Sequence, residues 1–348
     1  MKYAGVRQTA GPFAIIEAMT QNDFDKTDAR LLDLLQREFP LVSRPFEALA
    51  DKLGITEREV MDRVLRLKSE GLIRQISAIF DSTALGYSSE LVAFRVDPDA
   101  LDTVASEVSA HSGVSHCYSR DAELNLWFTI TVGPEADLSA EFRRLSQIPG
   151  VISSLRLPQK RLFKIGVYLN VTGESPSDAT VTQNEPQPHS KPATLDSRFR
   201  PHVRVLQKNL PISGTPFADL ATESAMSESE LLSAAQQLLA DRTMRRYAAV
   251  LRHVTAGFEV NAMVCWQAAP QEIENAGQTL AQHPSVSHCY ERATSPEWLW
   301  PLYTMIHCRT EAELDQVLVE LTSASGLSRY RVLRTLREYK KSRVTYFE

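Results

Sequence analysis

Hydrophobic spacing divides the chain into three short helices followed by alternating strands and helices, and the whole order occurs twice. In the first half, Ala29–Leu35 and Phe46–Ala50 carry helical spacing, and Leu53-Gly54-Ile55-Thr56 reads as a turn. Residues 57–70 then place Val60, Val64 and Leu67 on one face, Gly71 closes the helix, and Leu72–Phe80 continues as an extended wing. This is the pattern of a winged helix-turn-helix. Downstream, Leu91–Val96 predicts a strand, Leu101/Val104/Ala105/Val108 a helical stripe, and 114–120 with 125–132 a hairpin. A helix around 136–147 and a strand near 151–157 complete a βαββαβ order, so an antiparallel sheet with helices on one face is expected. The second half repeats the stripes as Ile273/Ala276/Leu280 and Leu314/Val317/Leu318/Leu321.

Self-comparison makes the duplication explicit. Val114-Ser115-His116-Cys117-Tyr118-Ser119-Arg120 returns as Val286-Ser287-His288-Cys289-Tyr290-Glu291-Arg292, identical at six of seven positions. Pro45-Phe46 matches Pro216-Phe217, Leu85-Gly86-Tyr87 matches Ala256-Gly257-Phe258, and Leu126-Trp127 is aligned with Leu299-Trp300. The fold class is therefore α+β, a tandem repeat of a winged helix-turn-helix and a ferredoxin-like domain. The expected boundaries are 24–87 and 88–170 for the first pair and 198–258 and 259–348 for the second. Residues 171–197, with four prolines and no aromatic residue, read as a linker tethering independently folded halves. Such a tether makes an internal pseudo-heterodimer, which could assemble further into a homo-oligomer.

Composition narrows the function classes. The 348 residues are 43% hydrophobic and 23% charged with a net charge of -5, as in ordinary globular domains, so any site for a polyanion must be local. The four cysteines form no CxxC pair, which fits a reducing cytoplasm and argues against a structural zinc site. No membrane anchor or export signal is visible. Both recognition-helix starts are acidic, Thr56-Glu57-Arg58-Glu59 and Ser227-Glu228-Ser229-Glu230, where a DNA reader needs cations. No nucleic-acid partner is expected.

The order of elements resembles the Lrp/AsnC family. The segments "GLIRQISAIFDSTALGY", "VSHCYSRDAELNLWFTI", "MRRYAAVLRHVTAGFEVNAMVCW" and "VSHCYERATSPEWLW" are similar, within it, to siroheme decarboxylases. The first half resembles their D-type subunit and the second their L-type. This resemblance implies loss of two acetate carboxyl groups from siroheme, giving 12,18-didecarboxysiroheme for haem d1, with no added cofactor and with iron only as part of the substrate. Many relatives carry Asn where this chain has Cys117 and Cys289, so no role passes to that position. The alternative is a ligand-responsive DNA-binding regulator or a tetrapyrrole sensor.

Strand alternation puts His116, Tyr118 and Arg120 on one face, and likewise His288, Tyr290 and Arg292. The four ring-bearing His and Tyr residues are the candidate catalytic groups. A polycarboxylate needs arginines, which bind carboxylates through bidentate charge-assisted hydrogen bonds. Arg245, Arg246, Arg252 and His253 occupy the second wing against Arg74, Gln75, Asp81 and Ser82 in the first, so the second-half pocket is expected to be the more cationic and the more important for turnover. Arg120 and Arg292 join these candidates. Residues 329–343 contain seven basic residues and one acidic residue, and alternation sends Lys341 and Arg343 to one face. They are either substrate contacts or protectors of a sheet edge. Trp127 and Trp300 are expected to wall the macrocycle or to sit in the core.

The chemistry implied needs an electron sink. Protonation of the ring beside the acetate makes an iminium-like acceptor, CO₂ leaves, and the methylene carbon takes a proton. His288 or His116, with Tyr290 or Tyr118, is a candidate proton donor, and either histidine is alternatively an axial ligand to the substrate iron.

Overall fold

The structure is a computed structural model, and it describes residues 24–37, 39–165, 195–251 and 260–348. The first half begins with α1 (Lys26–Arg37), α2 (Pro45–Leu53) and α3 (Glu57–Ser69). Pro45 opens α2, where its missing N–H costs nothing, and Gly54 ends it in the left-handed conformation at φ 71°. Thr56 caps α3 by accepting from the Glu59 N–H at 3.2 Å. The strand β1 (Ile73–Phe80) follows as the wing. The second half repeats this unit as α6 (Arg200–Leu206), α7 (Pro216–Thr222), α8 (Glu228–Ala240) and β7 (Met244–Leu251).

The helix-turn-helix units form one layer with a shared core. Leu31, Phe46, Val64 and Ile76 of the first half pack in the same cluster as Val203, Phe217, Leu231 and Tyr247 of the second. Each wing strand finds its partner in the other half: β1 and β7 pair antiparallel, with Ser77 opposite Ala248 and Ile79 opposite Arg246. Cations that would face a duplex are already committed. Arg63 and Arg66 reach the fully buried Asp28 at 2.9 and 2.7 Å, and Arg58 pairs with Asp62.

Between β1 and α6 lie β2 (Ser88–Val96), α4 (Leu101–Ala110), β3 (Val114–Arg120), β4 (Leu126–Val132), α5 (Leu138–Ser146), β5 (Val151–Leu157) and β6 (Gln159–Ile165). After β7 come β8 (Val260–Trp266), α9 (Ile273–Gln282), β9 (Val286–Arg292), β10 (Leu302–Cys308), α10 (Glu311–Ser325) and β11 (Tyr330–Lys341). These strands form a nine-stranded order β5-β2-β4-β3-β11-β8-β10-β9-β6. The terminal members β5 and β6 are separated only by Pro158, so the series returns on itself. Alternation sorts the faces: Val92, Phe94 and Phe128 pack on α4 and α5, whereas Ala93 and Trp127 meet Met263, Cys265 and Tyr303 of the other half.

The expectation of independently folded halves therefore needs correction. β6, from the first half, pairs with β9 of the second, and the C-terminal part of β11 pairs with β3 of the first. At Gly277 in α9, an added Cβ would overlap the Phe163 ring carried in by β6. The halves interlock through strands, and residues 171–194 of the expected linker lie outside the described residues.

Candidate functional site

A β-bulge at the same place in both halves sets the geometry. Val114 lies opposite Ile130 and His116 opposite Thr129, so Ser115 is an extra residue; Val286 and His288 face Ile306 and Met305 in the same way, with Ser287 extra. The bulge flips the strand's parity, letting Val114 and Val286 enter the helix-side cores while His116 and His288 face away from them. Each serine then meets its neighbouring ring: Ser115 Oγ lies 2.9 Å from His116 Nδ1 and Ser287 Oγ 2.8 Å from His288 Nδ1. From there alternation holds as read from the sequence, since Cys117 and Cys289 are buried under the helices.

On the other face the rings and guanidinium groups form a column. His116 stacks near Tyr118 with centroids 6.2 Å apart, and Arg120 lies 5.5 Å over the Tyr118 ring. His288 and Tyr290 are 6.1 Å apart, with Arg292 at 4.9 Å over Tyr290. Both arginines also bond the framework. Arg120 donates to the Leu333 carbonyl and Arg292 to the Leu157 carbonyl, both at 2.8 Å. They anchor the strands that pass between halves, and burial lowers both pKa values. Burial also raises the Tyr118 and Tyr290 pKa values, against the pull of their arginines, so both phenols stay protonated at neutral pH.

The two histidines differ in surroundings. Lys341 is the strand partner of His116, whereas Ile165 is the partner of His288. Burial first, then the Lys341 and Arg74 charges, holds the His116 pKa down at about 4, so its ring is neutral at pH 7. Arg74 also reaches the Lys341 carbonyl at 3.4 Å, and Arg343, just beyond β11, donates to Ser77 Oγ at 2.8 Å. Burial and then the neighbouring Arg74 and Arg246 charges depress the Arg343 pKa. Tyr346 and Phe347, packed against the helix-turn-helix core, hold this C-terminal segment in place. Arg74, Arg246, Lys341 and Arg343 thus converge from three elements that sequence places far apart.

Among the described residues the second-half wing is less cationic than the count at aligned positions suggests. Arg245 is committed to Asp81 at 2.7 Å, and the first-half wing thereby neutralises a second-half cation. Burial alone would raise the Asp81 carboxyl pKa, but Arg245 and the backbone N–H groups of Ala84 and Thr83 hold it below its ordinary value. Arg252 and His253 lie outside the described residues. Trp127 departs from the ligand-wall reading: it is 1% exposed, donates to the Leu124 carbonyl and sits 5.5 Å from Trp298. Its true counterpart is Tyr303, since Trp127 faces Tyr118 and Tyr303 faces Tyr290 across their ladders. Trp300 precedes β10 and packs with Arg331 at 5.6 Å. Sequence reasoning missed Ser115, Ser287, Asp81 and His307, although the repeated Ser-His dipeptide carried the signal for the first two.

Two family profiles match each half, an AsnC-like ligand binding domain over 84–164 and 255–340 and a siroheme decarboxylase NirDL-like HTH domain over 28–74 and 203–245. A siroheme decarboxylase of Hydrogenobacter thermophilus is 37% identical over 327 residues, covering 94% of this chain and 95% of that one. The chain belongs to the siroheme decarboxylase family. A crystal structure of the siroheme decarboxylase NirDL in complex with an iron-uroporphyrin III analogue superposes with a TM-score of 0.73 at 32% identity, covering 93% of this chain and 95% of that chain. A siroheme decarboxylase beta subunit of Desulfovibrio desulfuricans is 40% identical over 146 residues, 42% of this chain but 92% of its own. Within the siroheme decarboxylases this chain thus spans about two subunit lengths. Among the described residues, no cluster of three or more His, Cys, Asp or Glu is arranged to hold a metal, and no helix is long and apolar enough to cross a membrane.

Proposed function

We propose that the protein is a siroheme decarboxylase that converts siroheme to 12,18-didecarboxysiroheme on a route to haem d1, its two halves acting as an internal pseudo-heterodimer. The observation that carries this reading within the family is the convergence of Lys341 and Arg74 on His116, with Arg343 next to Arg74 and Arg246. Arg343 is half-buried, and burial first and then the Arg74 and Arg246 charges depress its pKa, an arrangement that an anionic ligand relieves. A tetrapyrrole rimmed with carboxylates has the matching chemistry, and arginine forks suit carboxylates better than point charges do.

In each step one acetate side chain loses CO₂ and its methylene carbon gains a proton, so two protons are consumed per siroheme. The cations orient the carboxylates. His116, neutral without ligand, gains proton affinity when carboxylates offset Lys341 and Arg74, and it then supplies a proton near the scissile group. Tyr118, kept protonated by burial, is a neutral hydrogen-bond donor beside it. This chemistry requires no resident cofactor, and the iron belongs to the substrate. The acidic starts of α3 and α8 support a packing role for the helix-turn-helix layer rather than DNA reading.

Anaerobic incubation of the full chain with siroheme, followed by mass spectrometry, tests the reading. The expected result is stepwise loss of two CO₂. An unchanged mass with siroheme bound to folded protein would replace the enzyme with a tetrapyrrole carrier or sensor.

A further inference from the structure

The hydroxyl of Ser287 has three polar neighbours but only one hydrogen. It lies 2.8 Å from His288 Nδ1, 2.9 Å from His307 Nε2 and 3.2 Å from the Met305 carbonyl oxygen. A carbonyl can only accept, whereas a serine oxygen donates once and accepts twice. All three contacts hold a proton in one arrangement: Ser287 donates to Met305, and both imidazoles donate to Ser287. We infer that Ser287, backed by His307, pins a proton on His288 Nδ1, so that any change of protonation at this imidazole during turnover takes place at its Nε2.

This inference rests on, and deepens, the proposed reaction. With Nδ1 committed as a donor to Ser287, proton exchange between this imidazole and the substrate can pass only through Nε2. Ser287 is thus a positioning residue, placed by the bulge that makes it the extra residue of β9. The first half lacks the same constraint. Thr131 stands where His307 stands in the second, and its hydroxyl donates instead to Ser89 at 3.0 Å. Ser115 bonds His116 Nδ1 at 2.9 Å, and its hydroxyl can serve as either donor or acceptor there. The duplicated histidines therefore differ in the freedom of their protons as well as in nearby charge.

The test is long-range ¹H–¹⁵N correlation spectroscopy on the full ¹⁵N-labelled chain without ligand, with His288 assigned by loss of its signals in His288→Gln. The expected pattern is a protonated Nδ1 at His288, lost or weakened in Ser287→Ala and retained in Ser287→Thr, which keeps the hydroxyl. In turnover, Ser287→Ala should lower kcat about 10–100-fold, the range for outer partners that orient a functional imidazole, and Ser287→Thr should recover most of it. An unprotonated Nδ1 in the parent protein, or a pattern unchanged in Ser287→Ala, overturns the lock. Because the tautomer is read without substrate, a parent protein that shows the lock yet releases no CO₂ would sink the proposed reaction and leave the lock standing.

Discussion

The pockets around His116 and His288 descend from one repeated segment but receive different neighbours. Strand exchange brings Lys341 opposite His116 and Ile165 opposite His288, and Asp81 takes up Arg245. One pocket gathers cations, while the other fixes its histidine through Ser287 and His307. Duplication supplied two equal columns of His, Tyr and Arg. Divergence acted on what surrounds them, which suits two successive decarboxylations at acetates that occupy different positions on the ring.

The most severe way to break this comparison is to remove each imidazole in turn. If His116 supplies the proton, His116→Ala should lower kcat by ~10²–10⁴-fold, whereas His288→Ala should leave the first CO₂ loss measurable in single-turnover mass spectrometry. Accumulation of the monodecarboxylated product by His288→Ala would sharpen the division of roles. A dead His288→Ala beside an active His116→Ala would place the whole reaction in the second pocket.

Binding gives the next largest effect. Lys341→Met and Arg343→Met each remove a cation while keeping most of the side chain's length. A hydrogen bond to a charged group is worth about 1.5–3 kcal/mol, so siroheme affinity measured by absorbance titration should fall about 10–150-fold per substitution. If neither variant weakens binding, the C-terminal segment protects a sheet edge, the other reading of its basic residues.

What the sequence made legible, and what it did not, follows the range of the interactions involved. Local patterns placed the helices, the strand at 151–157 and the sharing of one face by His116, Tyr118 and Arg120, because caps and alternation are written in neighbouring residues. Strand exchange is long-range. Nothing near Gln159–Ile165 says that its partner is β9 rather than a strand of its own half, so the charge count at aligned positions did not show Arg245 committed to Asp81 or Lys341 set opposite His116. Aligning Trp127 with Trp300 failed because the second hairpin is longer, which moves Tyr303 into the ladder position. Alternation tells which face Arg120 and Arg292 take but not that each also donates to a backbone carbonyl of another strand.

Acid stability offers a subtler contrast between the pockets. The His116 pKa is about 4 in the folded protein against 6.5 for an ordinary histidine, so the unfolded chain binds the extra proton first. Stability from this group is fully present above pH ~6.5 and is lost as pH falls toward ~4. The loss reaches about 3 kcal/mol, since each tenfold difference in proton affinity is worth ~1.4 kcal/mol. Denaturant titrations across that window should show the slope in the parent and a flatter profile in His116→Asn. Carboxylates held low by partners, such as Asp81 and Asp102, lose their contribution only at lower pH, below their unfolded values. An identical slope in the variant would mean that neither burial nor the Lys341 and Arg74 charges hold the imidazole pKa down.

The smallest expected effect is also the most direct probe of the unequal charge. Asp81→Asn removes the carboxylate that neutralises Arg245, while its amide oxygen can still accept from the Thr83 and Ala84 N–H groups that Asp81 Oδ1 now serves at 2.9 and 3.2 Å. The turn after β1 is thereby kept, and the released guanidinium lies near Tyr290, whose ionisation Arg245 already favours. A second-pocket cation no longer spent on Asp81 should tighten siroheme binding several-fold at low ionic strength, with the gain fading as salt screens it over a Debye length of about 8 Å at 0.15 M. Absorbance titrations of the parent and Asp81→Asn at two salt concentrations decide the point. Unchanged affinity at low salt would show that Arg245 does not face the ligand, and the charge asymmetry between the pockets would then rest on the cluster of Arg74, Arg246, Lys341 and Arg343.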